Sequence, residues 1–133
     1  MCFPPTSQKS LEEDDTLEIA WECLETARVI YSRVLPTIAD PAARTSLRSE
    51  LAFTYLRLGD LAMESDKFLE SIEDFKQCLE IRLADNPRPP KSRHLAEVYL
   101  QMALAYSQAA GKDQLPNDEV SCSCACVCFA IVD

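Results

Sequence analysis

Four cysteines at alternate positions, Cys122, Cys124, Cys126 and Cys128, are the residues of this chain whose type and spacing most suggest chemistry. In an extended strand all four would share one face. Thiolates so placed could hold zinc or copper, or accept palmitate. Metal sites usually set about two to four residues between cysteines within a rigid frame. This stretch offers neither, so it reads as an irregular tail and no metal site is assigned. His94 is the single histidine, beside Arg93 near an expected helix start, and no second histidine is present to act as a general base. No nucleophile elbow and no phosphate-binding loop occurs. Neither catalytic residues nor cofactors are expected, and the chain does not read as an enzyme.

The other chemical feature is charge. The run Glu12, Glu13, Asp14 and Asp15 opens a chain whose formal net charge is −9. Such a protein repels nucleic-acid phosphates and anionic lipid surfaces and attracts basic partners. An exposed carboxylate–ammonium pair is worth only about 0–1 kcal/mol, so four of them add avidity and do not make a tight site. No basic, apolar leader is visible at Met1 to Pro5, and the apolar stretch near Ala125 to Val132 is too short for a membrane helix. Seven cysteines without such a leader suggest reduced thiols, not a disulfide framework.

The elements that must carry these groups are helices. At 133 residues the chain is one domain at most, and its two glycines, Gly59 and Gly111, do not suit a fold of many tight β-turns. Residues 1–15 read as a disordered acidic leader, with Pro4 and Pro5 and four adjacent like charges. Asp15 or Thr16 would cap a first helix over about 17–35. That helix carries two apolar stripes, one through Leu17, Trp21, Leu24, Arg28, Tyr31 and Leu35, the other through Ile19, Cys23, Ala27, Ile30 and Val34. Two stripes imply neighbours on two sides.

A second helix is expected over about 42–65, lined by Leu47, Leu51, Tyr55, Leu58 and Ala62, and a third over about 67–85, with Phe68, Ile72, Phe75 and Leu79 inward. Ser65-Asp66 makes the turn between them. Gly59 marks a close approach of two helix backbones, which outweighs its helix cost of about 1 kcal/mol relative to Ala. Asn86 to Pro90 is a stiff linker. A fourth helix over about 92–110 repeats the spacing of the second at an offset of 44 residues, through Ala96, Tyr99, Met102, Ala103 and Tyr106. After Gly111 the pattern stops, and the last hairpin reads as cut short. The organisation is thus 1–15 leader, 16–110 helical domain and 111–133 Cys-rich irregular tail.

From Leu51 to Leu83 the order of Tyr55, Leu58, Gly59, Ala62, Phe68, Ser71, Phe75 and Cys78 resembles one tetratricopeptide repeat, a helix–turn–helix unit of about 34 residues. The expected fold is therefore all-α, a tetratricopeptide-type array of about four antiparallel helices with disordered ends. A narrower resemblance covers about Glu12 to Ser107. The segment Leu17-Glu18-Ile19-Ala20-Trp21 through Arg28, with Leu56-Arg57-Leu58-Gly59-Asp60, Glu64 to Phe68, Leu95-Ala96-Glu97 and Gln101 to Tyr106, is similar to the interrupted tetratricopeptide (SHNi-TPR) histone chaperones. That family implies a nuclear protein, with the cytoplasm left open, that binds linker histone and the core histones three and four without ATP. Its acidic insertion contacts basic histone surface and its helical groove holds a histone helix.

Carried onto this chain, the resemblance implies that Glu12, Glu13, Asp14 and Asp15 end the acidic insertion. First helices of such repeats line the concave side, which would receive Phe53, Leu56, Asp60 and Met63 from one repeat and Glu97, Leu100 and Leu104 from the next. A basic amphipathic helix suits that mixture. Phe53, Leu56 and Leu100 could equally be core, whereas Asp60 and Glu97 should stay accessible. The implied partners are histones or another basic protein, with no nucleic acid and no membrane. The sequence leaves a homodimer open. The competing reading is a general peptide-docking scaffold or co-chaperone adaptor, in which Asp60 and Glu97 would repel a ligand's C-terminal carboxylate.

Overall fold

The computed structural model describes residues 6–85 and 93–112, with side chains described from Glu12 onward. The linker at Asn86 to Pro90 and the cysteines of the tail lie outside the described residues. Those described form α1 (Thr6–Val34), a short 3-10 turn (Leu35–Thr37), α2 (Pro41–Glu64), α3 (Phe68–Asp85) and α4 (Arg93–Gly111), and no strand occurs among them. The all-α expectation holds.

Helix α1 differs from its sequence expectation at the start. It begins at Thr6, so Glu12 to Asp15 are helical and Thr16 is no cap; its hydroxyl donates to the Glu12 carbonyl at 2.7 Å, inside the helix. Nothing between Thr6 and Asp15 is Gly or Pro. Repulsion among exposed, salt-screened charges is too weak to undo the helix.

The later boundaries follow local chemistry. Pro36 sits in the 3-10 turn that closes α1. Asp40 caps α2 by accepting the Ala43 N–H at 3.0 Å, and Pro41 takes the first helical position, where no N–H is needed. The Arg44 guanidinium donates to the Ile38 carbonyl and fixes the corner. At the other end of α2 the Lys67 N–H reaches the Ala62 carbonyl at 2.8 Å and the Asp66 N–H reaches the Met63 carbonyl at 3.2 Å. This is a Schellman closure, and Asp66 occupies its left-handed position at φ 60°.

Helix α2 is the centre of the array. It packs against α1 on one side and α3 on the other, α4 packs against α3, and α2 also touches α4. Gly59 explains the close α2–α3 approach: a Cβ there would lie 2.4 Å from Cε1 of Phe75. Ser71 and Cys78, the small residues of α3, are fully buried, as their size suggests. The Ser71 hydroxyl donates to the Phe68 carbonyl at 2.7 Å, so no polar atom is stranded. Burial pushes the Cys78 thiol up to about 11, which keeps it protonated and inert.

The core joins Ala52 and Leu56 of α2 to Phe68, Ile72, Phe75 and Cys78 of α3 and Val98, Met102, Ala105, Tyr106 and Ala109 of α4. On α4, Leu95, Val98, Met102, Ala105, Tyr106 and Ala109 are inside, whereas Ala96 is exposed and Ala103 half-exposed, on the side that no described helix covers.

Two long-range contacts tie the far end of α3. Arg48 of α2 pairs with Asp85 at 2.9 Å, and Arg82 donates to the His94 carbonyl at 2.6 Å.

Candidate partner-binding site

Two cavities lie on the helical array, and both mix apolar and charged walls. The first, about 550 Å³, lies between α2 and α4 and is lined in part by Glu50, Phe53, Arg57, Arg82, Asp85 and Glu97. Phe53 projects from α2 with 46% of its surface exposed. Arg57, one turn further, lies over its ring at 4.8 Å from guanidinium carbon to ring centre, and Nη1 donates to Asp60 Oδ2 at 2.9 Å. Phe53, Arg57 and Asp60 thus form one ledge, held by a cation–π contact and an i,i+3 ion pair. Partial burial raises the Asp60 pKa; Arg57 opposes the rise, and Glu97 and Glu64 add to it. Glu97 of α4 is thus close enough to Asp60 of α2 for repulsion to be felt across the groove.

This places the residues read from the sequence. Phe53, Asp60 and Glu97 come together at the α2–α4 groove. Leu56 does not join them: it is 1% exposed and belongs to the core. Met63 is half-buried and turned toward α3, where its sulfur lies 3.4 Å from the Ser71 hydroxyl oxygen. Leu100 is 54% exposed, and Leu104 is exposed on the same helix. Arg57 and Arg82 are groove residues that the sequence reading left out. Each is already engaged, Arg57 by Asp60 and Phe53, Arg82 by the His94 carbonyl.

The second cavity, about 430 Å³, gathers three segments distant in sequence. Asp14, Leu17, Glu18 and Trp21 come from one face of α1, Leu61, Ala62, Glu64 and Ser65 from the end of α2, and Lys67, Glu70 and Asp74 from the start of α3. Of the acidic run, Asp14 lines this cleft, while Glu12, Glu13 and Asp15 are exposed elsewhere on α1. Trp21, expected on a packing stripe, is 48% exposed and forms an apolar wall. Five carboxylates surround it against the one ammonium of Lys67, which sits 4.0 Å from Glu70.

Asp74 reports how crowded this cleft is. Its carboxyl is pushed up to about 6, first by burial, then by Glu25; Arg28 opposes the rise, and Glu70 and Glu73 add to it. Arg28 is committed elsewhere: its guanidinium forks onto Glu25, with Nε donating at 2.8 Å. That hydrogen bond holds the Glu25 carboxyl below its ordinary range against the opposing effect of burial. The cleft therefore holds unneutralised negative charge beside an aromatic face, an arrangement that receives a cationic side chain. The spacing of Asp14, Glu18 and Trp21, and of Glu70 and Asp74, was a readable sign that each set shares a helix face. That the two faces meet was not readable.

Among the described residues no three His, Cys, Asp or Glu side chains converge as metal ligands would, and no helix is long and apolar enough to cross a membrane.

Comparison with known proteins fits this architecture. The family model described as SHNi-TPR matches residues 52–88, which take in most of α2 and all of α3. Nuclear autoantigenic sperm protein of Bos taurus is 32% identical over 111 residues, covering 80% of this chain and 13% of that protein. The Homo sapiens protein of that name is 31% identical over the same shares. Histone-binding protein N1/N2 of Xenopus laevis is 28% identical over 103 residues, 77% of this chain and 16% of that protein. The chain thus spans a small part of the length of these relatives. The repeat signature sits on the central hairpin, and the likeness extends beyond it along most of the chain: this protein is a member of the SHNi-TPR family, of the kind represented by nuclear autoantigenic sperm protein.

Proposed function

We propose that this chain binds histones, as a chaperone that shields their charge, and does no covalent chemistry. One observation carries the reading: the α1–α2–α3 cleft sets five carboxylates around Trp21, with the Asp74 carboxyl pushed up to about 6 by burial first and by neighbouring carboxylates after it. A lysine or arginine entering the cleft would supply a cation and stack on the indole. The names of the relatives support the choice of partner, since one is called a histone-binding protein and others nuclear. Core histones three and four, and linker histone, are the first candidates, and the nucleus the first location. Asp60 and Glu97, with Phe53, would offer a second contact along the α2–α4 groove. Shielded lysines and arginines are then withheld from premature contact with DNA.

The docking-scaffold reading needs free cations to clamp a ligand carboxylate. Arg57 and Arg82 stand in the groove, but both are already engaged within the protein.

Trp21 is the single tryptophan, so its fluorescence reports the cleft directly. Titration with histones three and four should shift its emission. Glu18→Lys with Glu70→Lys should weaken binding about tenfold at low salt, less at high salt. A cation favours the ionised form of Asp74, so affinity should fall as pH drops below about 6. Unchanged affinity in the charge-reversal variant, or retention of acidic C-terminal peptides in place of histones, would overturn the proposal.

A further inference from the structure

We infer that the open face of α1 joins a second copy of this chain, each α1 lying antiparallel along the other. The two apolar stripes of α1 part company in the fold. Leu17, Leu24, Tyr31 and Leu35 of the first are half-buried where α1 meets α2. The second stands in water, with Ile19 61%, Ile30 52% and Val34 41% exposed and Cys23 exposed between them. Among the described residues α1 meets only α2 and the 3-10 turn, so this line has no cover.

The spacing of the exposed line reads the same in both directions. Cys23 stands three residues before Thr26, and Ile30 three after Ala27. Ile19 stands seven before Thr26, and Val34 seven after Ala27. A two-fold axis between Thr26 and Ala27 therefore sets Ile19 against Val34 and Cys23 against Ile30, each pair occurring twice. Helices that cross closely need small side chains at the crossing point, and Thr26 and Ala27 are small. The Thr26 hydroxyl donates to the Glu22 carbonyl at 2.8 Å, so it enters an apolar seam with its hydrogen bond already made.

Charge favours a second copy, and favours it antiparallel. In this register Arg33 falls opposite position 20 of the other copy, about 3 Å along the axis from Glu22. Glu22 and Arg33 are exposed on one flank of the line, and neither is in an ion pair among the described residues. The dimer pairs each Arg33 with Glu22 of the other copy. A parallel pairing would set Glu22 against Glu22 and Arg33 against Arg33. Trp21 and Glu18 project from other sides of α1, so both acidic clefts of the dimer stay open.

The face is small, so a weak dimer is expected, with Kd of about 10–100 µM. Sedimentation velocity of reduced full-length protein from about 1 to 500 µM should show the mass double. Ile30→Asp should raise Kd at least about tenfold, since each copy would bury a carboxylate in the seam. The helical melt of the dilute variant should not move, because Ile30 is already exposed. Arg33→Glu should raise Kd about fivefold, and adding Glu22→Arg should bring it back. Ile30→Cys tests the register. On oxidation, Cys23 of each copy should link to position 30 of the other, as mass spectrometry of the joined peptides would show. Cys23 should not link to Cys23, because the two lie about 10 Å apart along the axis, beyond disulfide reach. Protein that stays monomeric over the whole range would overturn the proposal. So would a dimer indifferent to Ile30→Asp, or a direct Cys23–Cys23 link.

Discussion

Leu56 and Leu100 occupy equivalent places on two first helices, yet one is 1% exposed and the other 54%. The difference does not lie in what comes before them, since both helices pack on a preceding helix. It lies in whether a second helix follows on the described path. Burial in a repeat array belongs to the neighbour as much as to the residue, so the same pattern in sequence gives core at one position and open face at the next.

Substitutions on the two lines can break or sharpen that contrast. The largest expected effect is at Leu56. Leu56→Ala should cost about 3 kcal/mol of global stability, as large-to-small changes in a packed core do. Leu100→Ala should cost less than about 1 kcal/mol, because its side chain already stands 54% exposed. Denaturant melts of both variants make the check, and equal losses would erase the distinction. Next is Gly59→Val, which drives side-chain atoms into the Phe75 ring and should cost about 2 kcal/mol. Ala103→Val, at the equivalent site on α4, should stay within about 0.5 kcal/mol.

An effect smaller than those at Leu56 and Gly59 concerns the acidic cleft. Asp74 has a folded pKa raised from the ordinary 3.8 to about 6. The folded state therefore binds more protons than the unfolded state between these values, and stability falls as pH rises through that window. Asp74→Asn should remove the slope. It should add about 1 kcal/mol at pH 7, the figure being reduced because the group is partly solvated. Melting temperatures at pH 4.5 and pH 7 would show it, and a slope retained in the variant would assign the strain to another carboxylate.

How much of this was legible in the sequence depends on how local the cause is. Gly59, Ser71 and Cys78 announced the tight hairpin by their size. The beginning of α1 was misread because four adjacent carboxylates look unfavourable, although solvent-screened charges on a stretch without Gly or Pro do not undo a helix. Phe53 and Leu56, three residues apart, could each be groove or core as far as the sequence tells. Only the position of α3 and α4 sends Leu56 into the core and leaves Phe53 as a ledge. Trp21 was placed on a packing stripe, and the cleft it lines needs three segments to converge. No periodicity along one helix reports such a meeting.

The hold of Arg82 on the backbone at His94 has an architectural consequence. It fastens α3 to the opening turn of α4 from outside the connecting stretch 86–92, and Arg48 with Asp85 anchors the near side of the same junction. Insertions or deletions in that stretch would then change only the entropy of closing a short loop, a term that grows slowly with length. The array could admit spacers of varied size between hairpins while keeping its stacking angle, which is how an interrupted repeat can stay a repeat.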